Sequence, residues 1–328
     1  MSINVFLSIF LSGLVFIFIL RKFFLLIKPK GFFVEKDKRG VVKVGGIILC
    51  SSFLFAGLFF YHDAFFKDSL NLKIILTTFL VFILGLIDDG KELKIWQKFL
   101  GELIITFFFI LISGMTTEII FFPKSINFII TLVWILGITN AFNLLDIQDG
   151  LAAGVGFLIS LAFLYLAHFT GNIFVEQISL ILAGALSAIL IFNLPPAKIY
   201  LGDSGSLCLG YVLSILAISL SYAQAAHEMA LLSPIFILGF PIFDTIFVSL
   251  RRLSQGRSIF KKSDDHFIFC LIKQGRKKSA LFICYLLSLL FISLGILFMK
   301  LSNLFSLVLI ILFLKLLYHI SFKVSRVQ

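Results

Sequence analysis

Eleven apolar runs set the terms for this chain. They cover about residues 3–20, 44–61, 70–87, 96–113, 126–145, 151–169, 176–193, 205–223, 229–250, 279–299 and 301–320. A bilayer core takes roughly 20 apolar residues per helix, and each run is close to that length. Backbone in lipid must satisfy its own hydrogen bonds, so continuous apolar runs of this length read as helices. Composition closes the other options. Soluble domains are about 45–50% apolar and about 25% charged. This chain is 60% hydrophobic and 14% charged, with a mean hydropathy of +1.11. So little polar surface cannot cover so large a core, which excludes both a soluble globular protein and a disordered one. The expected fold is all-α: a polytopic membrane protein with about 11 transmembrane helices, one domain over residues 1–328.

The charge pattern orients it. There are 28 Lys+Arg against 17 Asp+Glu, a net +11. No Lys or Arg precedes the first run, and Arg21, Lys22, Lys28 and Lys30 follow it. A cleaved signal peptide has the reverse arrangement, so the run is read as a retained helix. Loops after the odd-numbered runs, with the C-terminal end, carry 24 of the 28 positive residues. The other side has only Lys67, Lys73, Lys124 and Lys300. Positive loops stay in the cytoplasm. The N-terminus is therefore expected outside and the C-terminus inside, with cytoplasmic loops at about 21–43, 88–95, 146–150, 194–204 and 251–278. A basic excess confined to one membrane face speaks for topology, and no nucleic-acid partner is expected.

The acids share that face. Asp88, Asp89, Asp146, Asp149, Asp203, Asp264 and Asp265 fall in its loops, and Asp244 lies inside the ninth run. The third, fifth and ninth helices end there, and a helix C-terminus disfavours Asp. Acids at three such ends imply compensation by a bound cation and a cationic loop, with Lys91, Lys94 and Lys98 contributing. Glu102, four residues after Lys98, is read as pairing with it. Asn140, Asn143, Asp146 and Asp149 recur every three residues and form one polar helical ridge. Their oxygens are hard ligands, and Mg²⁺ takes one or two carboxylates plus substrate phosphates. The plainer alternative is polar bonding between helices.

Asp203 lies in Leu201-Gly202-Asp203-Ser204-Gly205-Ser206, ahead of the eighth run. Two readings stand side by side. The Asp or Ser is a helix N-cap, or Gly202 and Gly205 admit a ligand whose phosphate meets the helix-start N–H groups. No Gly-Lys-Ser/Thr follows, so this is not a P-loop. The loop after the ninth run carries nine Lys and Arg around Asp264-Asp265-His266. It is an anchor on anionic lipid, a cationic lid for a diphosphate, or both. Cys50, Cys208, Cys270 and Cys284 form no CxxC pair and read as small hydrophobes. His62, His168, His227 and His319 are given no chemistry.

Together these stretches resemble the polyprenyl-phosphate N-acetylhexosamine-1-phosphate transferases. That family includes undecaprenyl-phosphate N-acetylglucosamine-1-phosphate transferases and phospho-N-acetylmuramoyl-pentapeptide transferase. The matching segments are Val44-Gly45-Gly46, Gly85 to Asp89 with Lys98-Phe99-Leu100, Asn140 to Gly154, Leu201 to Ser206, and Pro241 to Asp244 with Arg251-Arg252. The resemblance implies transfer of a sugar phosphate from a UDP-N-acetylhexosamine to polyprenyl phosphate, with UMP leaving and Mg²⁺ required; Mn²⁺ is the alternative ion. It implies a site on the cytoplasmic face of the cell membrane. Asp88, Asp89, Asp146, Asp149 and Lys98 are expected to be catalytic. Asn140, Asp203, Arg251, Arg252 and His266 are expected to bind substrate, and Asn143 and Asp244 to bind the metal. A homodimer is left open.

Two departures stand out. Asp146-Ile147-Gln148-Asp149-Gly150 replaces the family's Asp-Gly-Leu-Asp-Gly. Ile268 and Phe269 stand where the family often has further histidines, leaving His266 alone. Length, helix number and that loop favour the N-acetylglucosamine branch over the pentapeptide branch. A rival from another class is an ion-coupled transporter, but transporters place ionisable groups near the midplane. A third reading is a degraded member that only binds lipid; loss of histidines favours it and retention of the acids opposes it.

Overall fold

A computed structural model describes residues 2–27, 41–66, 68–119, 121–220, 228–258 and 264–325. Lys28, Lys30, Lys36, Lys38, Arg39, Lys67, Lys261, Lys262 and Arg326, all counted in the charge asymmetry, lie outside those residues, as does His227. The chain divides into two compact units, Met1–Leu220 and Ser221–Gln328.

The first unit holds α1 (Ser2–Ile27), β1 (Val42–Lys43), α2 (Gly45–Phe59), α3 (His62–Phe66), α4 (Ser69–Lys91), α5 (Ile95–Ser113), α6 (Lys124–Leu145), α7 (Leu151–Thr170), α8 (Ile173–Asn193), β2 (Ile199–Tyr200) and α9 (Gly202–Ser219). The second holds a short 3-10 turn, Glu228–Leu232, then α10 (Ser233–Ile237), α11 (Gly239–Ser254), α12 (Phe267–Lys273), α13 (Ala280–Phe298) and α14 (Asn303–Ser325). Within the described residues each apolar run is mainly helical. Among the described residues eight helices are long and apolar enough to cross a membrane, or nine if the bent α10–α11 pair is one span, and α2 and the described part of α14 are shorter apolar helices. This is a multi-pass, nearly all-helical membrane protein.

The ninth run departs from expectation. It is two helices bent by 68° across Leu238. Pro241 explains the break: it has no N–H to continue a helical ladder, so it sits in a first turn, where that N–H has no partner anyway. The third helix also runs on to Lys91, so Asp88 and Asp89 lie in its last turn rather than beyond it. The short helices α3 and α12 were not expected.

Helix α9 is the centre of the first unit. Fifteen of its eighteen residues are buried, the state expected of a helix apolar on all sides. Helices α4 and α6 flank it, and Phe109 of α5 packs edge-on to Tyr211 at 6.0 Å. Apolar burial drives little helix association in lipid, so close backbone approach matters. Gly85 of α4 supplies it: a Cβ there would lie 2.5 Å from Ser204 Cα. Outer positions such as Phe18, Leu11 and Ile104 are exposed, as lipid-facing residues are.

The two short strands act as a clip. They pair in parallel, Val42 with Ile199 and Lys43 with Tyr200. The N–H of Gly46 then reaches Leu201 O at 3.2 Å. The starts of α2 and α9 are thereby held together, at the end of the unit where Asp88 and Asp89 lie.

Candidate active site

Chemistry in the first unit converges on Lys98. Its ammonium donates to Asp88 Oδ2 at 2.8 Å, to Asn143 Oδ1 at 2.9 Å, and to Asp203 Oδ1. Asn143 Nδ2 also donates to Asp203 Oδ1 at 2.7 Å and to Ser206 Oγ at 3.0 Å. Four helices meet here: α4 brings Asp88, α5 Lys98, α6 Asn143, and α9 Asp203 with Ser206. The turn from α4 to α5 is sharp, with Glu92 in the left-handed region at φ 49°. Asp88 Oδ1 fastens that turn by accepting from Leu93 N–H at 2.7 Å.

The puzzle of acids at helix C-termini resolves in an unexpected way. Asp89, 5% exposed, accepts from Asp203 N–H at 3.0 Å and Ser204 N–H at 2.9 Å. A carboxylate that closes α4 thus caps the positive start of α9. Lys43 adds an ammonium 3.9 Å away. Both readings of the Gly202–Ser206 turn are corrected. Asp203 is inside the helix, with Leu201 as its N-cap, and the helix-start N–H groups already hold carboxylates. Gly202, at φ +75°, makes room for Asp89 rather than for a ligand: a Cβ there would lie 2.9 Å from Asp89 Oδ2. Of the three lysines expected to compensate, only Lys98 contacts the acids; Lys91 and Lys94 are exposed.

The four-residue ridge is shorter than its spacing implied. Helix α6 ends at Leu145, so only Asn140 and Asn143 lie on it. Asp146 is its cap residue, partly exposed, beside Gly202 N–H. Burial, then the charges of Asp203 and Asp89, push its carboxyl up to about 8. Asp149 lies in the following turn, where Oδ2 accepts from Ala197 N–H at 3.1 Å. Asn140 donates to Glu102 of α5. Glu102 makes no hydrogen bond to Lys98, but the two interact through their charges along α5, as their spacing implied.

The second unit has its own polar centre. Asp244 is 2% exposed. It is the sixth residue of α11, which runs on to Ser254, so it lies well before that helix's C-terminus. Its Oδ2 lies 2.7 Å from His266 Nδ1, and Oδ1 accepts from Phe267 N–H at 2.9 Å. The carboxylate assigns the imidazole proton to Nδ1. Asp265, noted in the basic loop but given no site role from the sequence, sits 3.6 Å from Arg251 Nε, 3.8 Å from Arg252 Nε and 3.8 Å from Arg257 Nη1. Arg251 also donates to Cys270 Sγ at 2.8 Å. Burial pushes the Cys270 thiol up, so it stays neutral. Ile268 is buried.

Among the described residues no three His, Cys, Asp or Glu side chains converge as a metal cage. The donor chemistry of the first unit nevertheless suits a divalent cation completed by substrate. Asp88, Asp89, Asp146 and Asp203 face two ammonium groups, Lys98 and Lys43. Four carboxylates against two ammonium groups leave surplus negative charge, and Mg²⁺ needs few protein carboxylates. An apolar cavity of about 590 Å³, lined by Phe6, Leu161, Tyr165, His168 and Glu176, lies between α1, α7 and α8 and holds none of these acids. Lys43, Ser206, Glu102 and Asp265 are site-forming residues that motif spacing does not reveal.

Residues 71–221 match the family described as Glycosyl transferase family 4. A probable undecaprenyl-phosphate N-acetylglucosaminyl 1-phosphate transferase of Bacillus subtilis is 32% identical over 65% of this chain and 62% of its own length. A phospho-N-acetylmuramoyl-pentapeptide-transferase of Halalkalibacterium halodurans is 32% identical over 73% of this chain and 78% of its own length. An undecaprenyl-phosphate alpha-N-acetylglucosaminyl 1-phosphate transferase of Thermotoga maritima is 29% identical over 79% of this chain and 77% of its own length.

Proposed function

The chain belongs to glycosyl transferase family 4, and on that premise we propose that it moves an N-acetylhexosamine 1-phosphate from a UDP-sugar to polyprenyl phosphate. The substrate preferred by this reading is UDP-N-acetylglucosamine. An oxygen of the lipid phosphate attacks the sugar-linked phosphorus. A new P–O bond forms, the bond to the bridging oxygen breaks, and UMP leaves with that electron pair. The acceptor is already an anion, so the step asks for positioning and charge stabilisation more than for a base.

The observation that carries this reading is the Lys98 ammonium, fixed by Asp88, Asn143 and Asp203 before any substrate arrives. A preorganised cation lowers the cost of bringing two phosphates together. Asp88 holds Lys98 and closes the α4–α5 turn. Asp89 fixes the start of α9 and so the position of Asp203. Asp146 and Asp203 are the carboxylates nearest to hand for Mg²⁺, with Asn143 beside them; the ion, when bound, would offset phosphate charge. In the second unit Asp244 holds His266 through Nδ1, and Arg251 and Arg252 flank Asp265; His266 and the two arginines are proposed as substrate-binding groups. The acid-bearing end of the first unit is assigned to the cytoplasmic face of the cell membrane, with the N-terminus outside.

The test is purified protein with UDP-N-acetylglucosamine, polyprenyl phosphate and Mg²⁺. UMP release that needs both lipid and metal is expected. No release with any UDP-N-acetylhexosamine overturns the reading. UDP-N-acetylmuramoyl-pentapeptide as donor separates the pentapeptide branch, for which the buried Ile268 in place of a histidine speaks unfavourably.

A further inference from the structure

Glu102 is a buried acid that the mechanism above leaves unused. It lies one turn beyond Lys98 on α5 and is 1% exposed. A carboxylate taken from water is costly unless something is gained by it. Its Oε2 accepts from Asn140 Nδ2, while Oε1 has no hydrogen-bond partner. Asn140 Nδ2 also donates to Leu136 O at 2.9 Å, which fixes the amide on its own helix.

One turn away the same two helices meet again, where Lys98 Nζ reaches Asn143 Oδ1 at 2.9 Å. Lys98 and Glu102 are four apart on α5; Asn140 and Asn143 are three apart on α6. Each pair shares a helix face, so the two contacts are successive rungs between α5 and α6. Helix α5 is the more lipid-exposed of the two. Apolar burial does little to stop such a helix sliding in a bilayer, whereas interhelical hydrogen bonds do. A single buried polar residue can set register in packed helices.

We propose that Glu102 is a positioning residue: with Asn140 it locks α5 on α6 in the register that presents Lys98 to Asp88, Asn143 and Asp203. The proposal rests on the transfer reading only for its kinetic part.

Two readouts test it on the full-length protein. The first is steady-state turnover; the second is the rate at which Lys98 is acylated by an amine reagent, read by mass spectrometry. Glu102→Leu keeps bulk and removes the rung. Its kcat is expected to fall about 10–100-fold, the scale of a 1 Å misplacement, with KM for the UDP-sugar little changed. Lys98 is expected to acylate several-fold faster. Glu102→Gln keeps an acceptor for Asn140 and should restore both. If Glu102→Leu does not fold, Asn140→Ser breaks the same rung from the other side. Unchanged Lys98 acylation in the rung-breaking variant overturns the proposal, whatever turnover does, and so does failure of Glu102→Gln to restore it. A wild-type protein without turnover would sink the transfer reading while leaving the acylation test intact.

Discussion

The carboxylate of Asp89, in the last turn of α4, caps the start of α9 through Ser204 N–H at 2.9 Å and Asp203 N–H at 3.0 Å. One residue thereby relieves an unfavourable helix end and fixes another helix. Replacing it with alanine leaves two buried donors without an acceptor, a cost of about 1–3 kcal/mol for each such group. Asp89→Ala should lower the thermal midpoint clearly in detergent. Asp89→Asn keeps one acceptor oxygen and should fall between alanine and wild type. An unchanged midpoint in the alanine variant would remove the capping role.

Lys98 invites the opposite test, because it is a charge with three acceptors rather than an acceptor with two donors. Lys98→Met keeps the aliphatic stem and deletes the ammonium, leaving Asp88 and Asp203 face to face. Turnover is expected to drop about 10²–10³-fold, the range seen when a preorganised electrostatic contact is lost. UMP release under saturating substrates checks this. Lys98→Arg should not rescue fully, since a planar fork cannot reach three acceptors set for a point charge.

Asp146 supplies a pH dependence. Its carboxyl is pushed up to about 8, so the folded protein favours the protonated form. Stability from this group is full below the ordinary carboxylate range and is lost as pH rises through about 8. Metal binding has the reverse sign, because a cation takes the ionised form. Mg²⁺ affinity, measured by calorimetry, should therefore strengthen from pH 6 to 9, with proton release on binding. Asp146→Asn should flatten both trends. Equal affinity across that range would separate Asp146 from the cation.

The extent to which sequence anticipated this arrangement follows the range of each interaction. Helices were legible because lipid imposes one length and one composition on every span. The acids and Lys98 were legible as a set because their types and spacing are unusual for helix ends. Their partners were not. Asp89 meets Ser204 across 115 residues, and Lys98 meets Asp203 across 105; no local spacing encodes such pairs. Glu102 was half legible. Its i,i+4 spacing to Lys98 matches a charge interaction between them, but its hydrogen bond to Asn140 on a neighbouring helix has no local signature. Asp265 was seen in the basic loop but given no role, because nine Lys and Arg surround it there and spacing does not pick out Arg251, Arg252 and Arg257 as its partners.

Asp244 and His266 make a buried pair at 2.7 Å, and substitution should reveal what the pair does. Asp244→Asn can still accept from Phe267 N–H but presents an amide in place of a carboxylate to His266 Nδ1. Turnover should fall, because the imidazole loses the charge-assisted contact that fixes its ring. The midpoint of unfolding should change little, since packing is retained. Turnover equal to wild type would confine the pair to holding α12 in place.

Orientation is open to a test that uses α4 as a ruler. Its 23 residues span about 34 Å at 1.5 Å per residue, enough to cross a bilayer core of roughly 30 Å. Asp63 lies before its start and Lys91 at its end, and both are exposed. The four native cysteines are free and would be replaced with serine or alanine first. Single cysteines at 63 and 91 should then react from opposite sides with an impermeant maleimide in intact cells. Position 63 should label from outside, and position 91 only after permeabilisation. Labelling of both from outside would contradict a membrane crossing by α4, and exchange of the two sides would move Lys98 and its acids to the outer face, away from any cytoplasmic UDP-sugar.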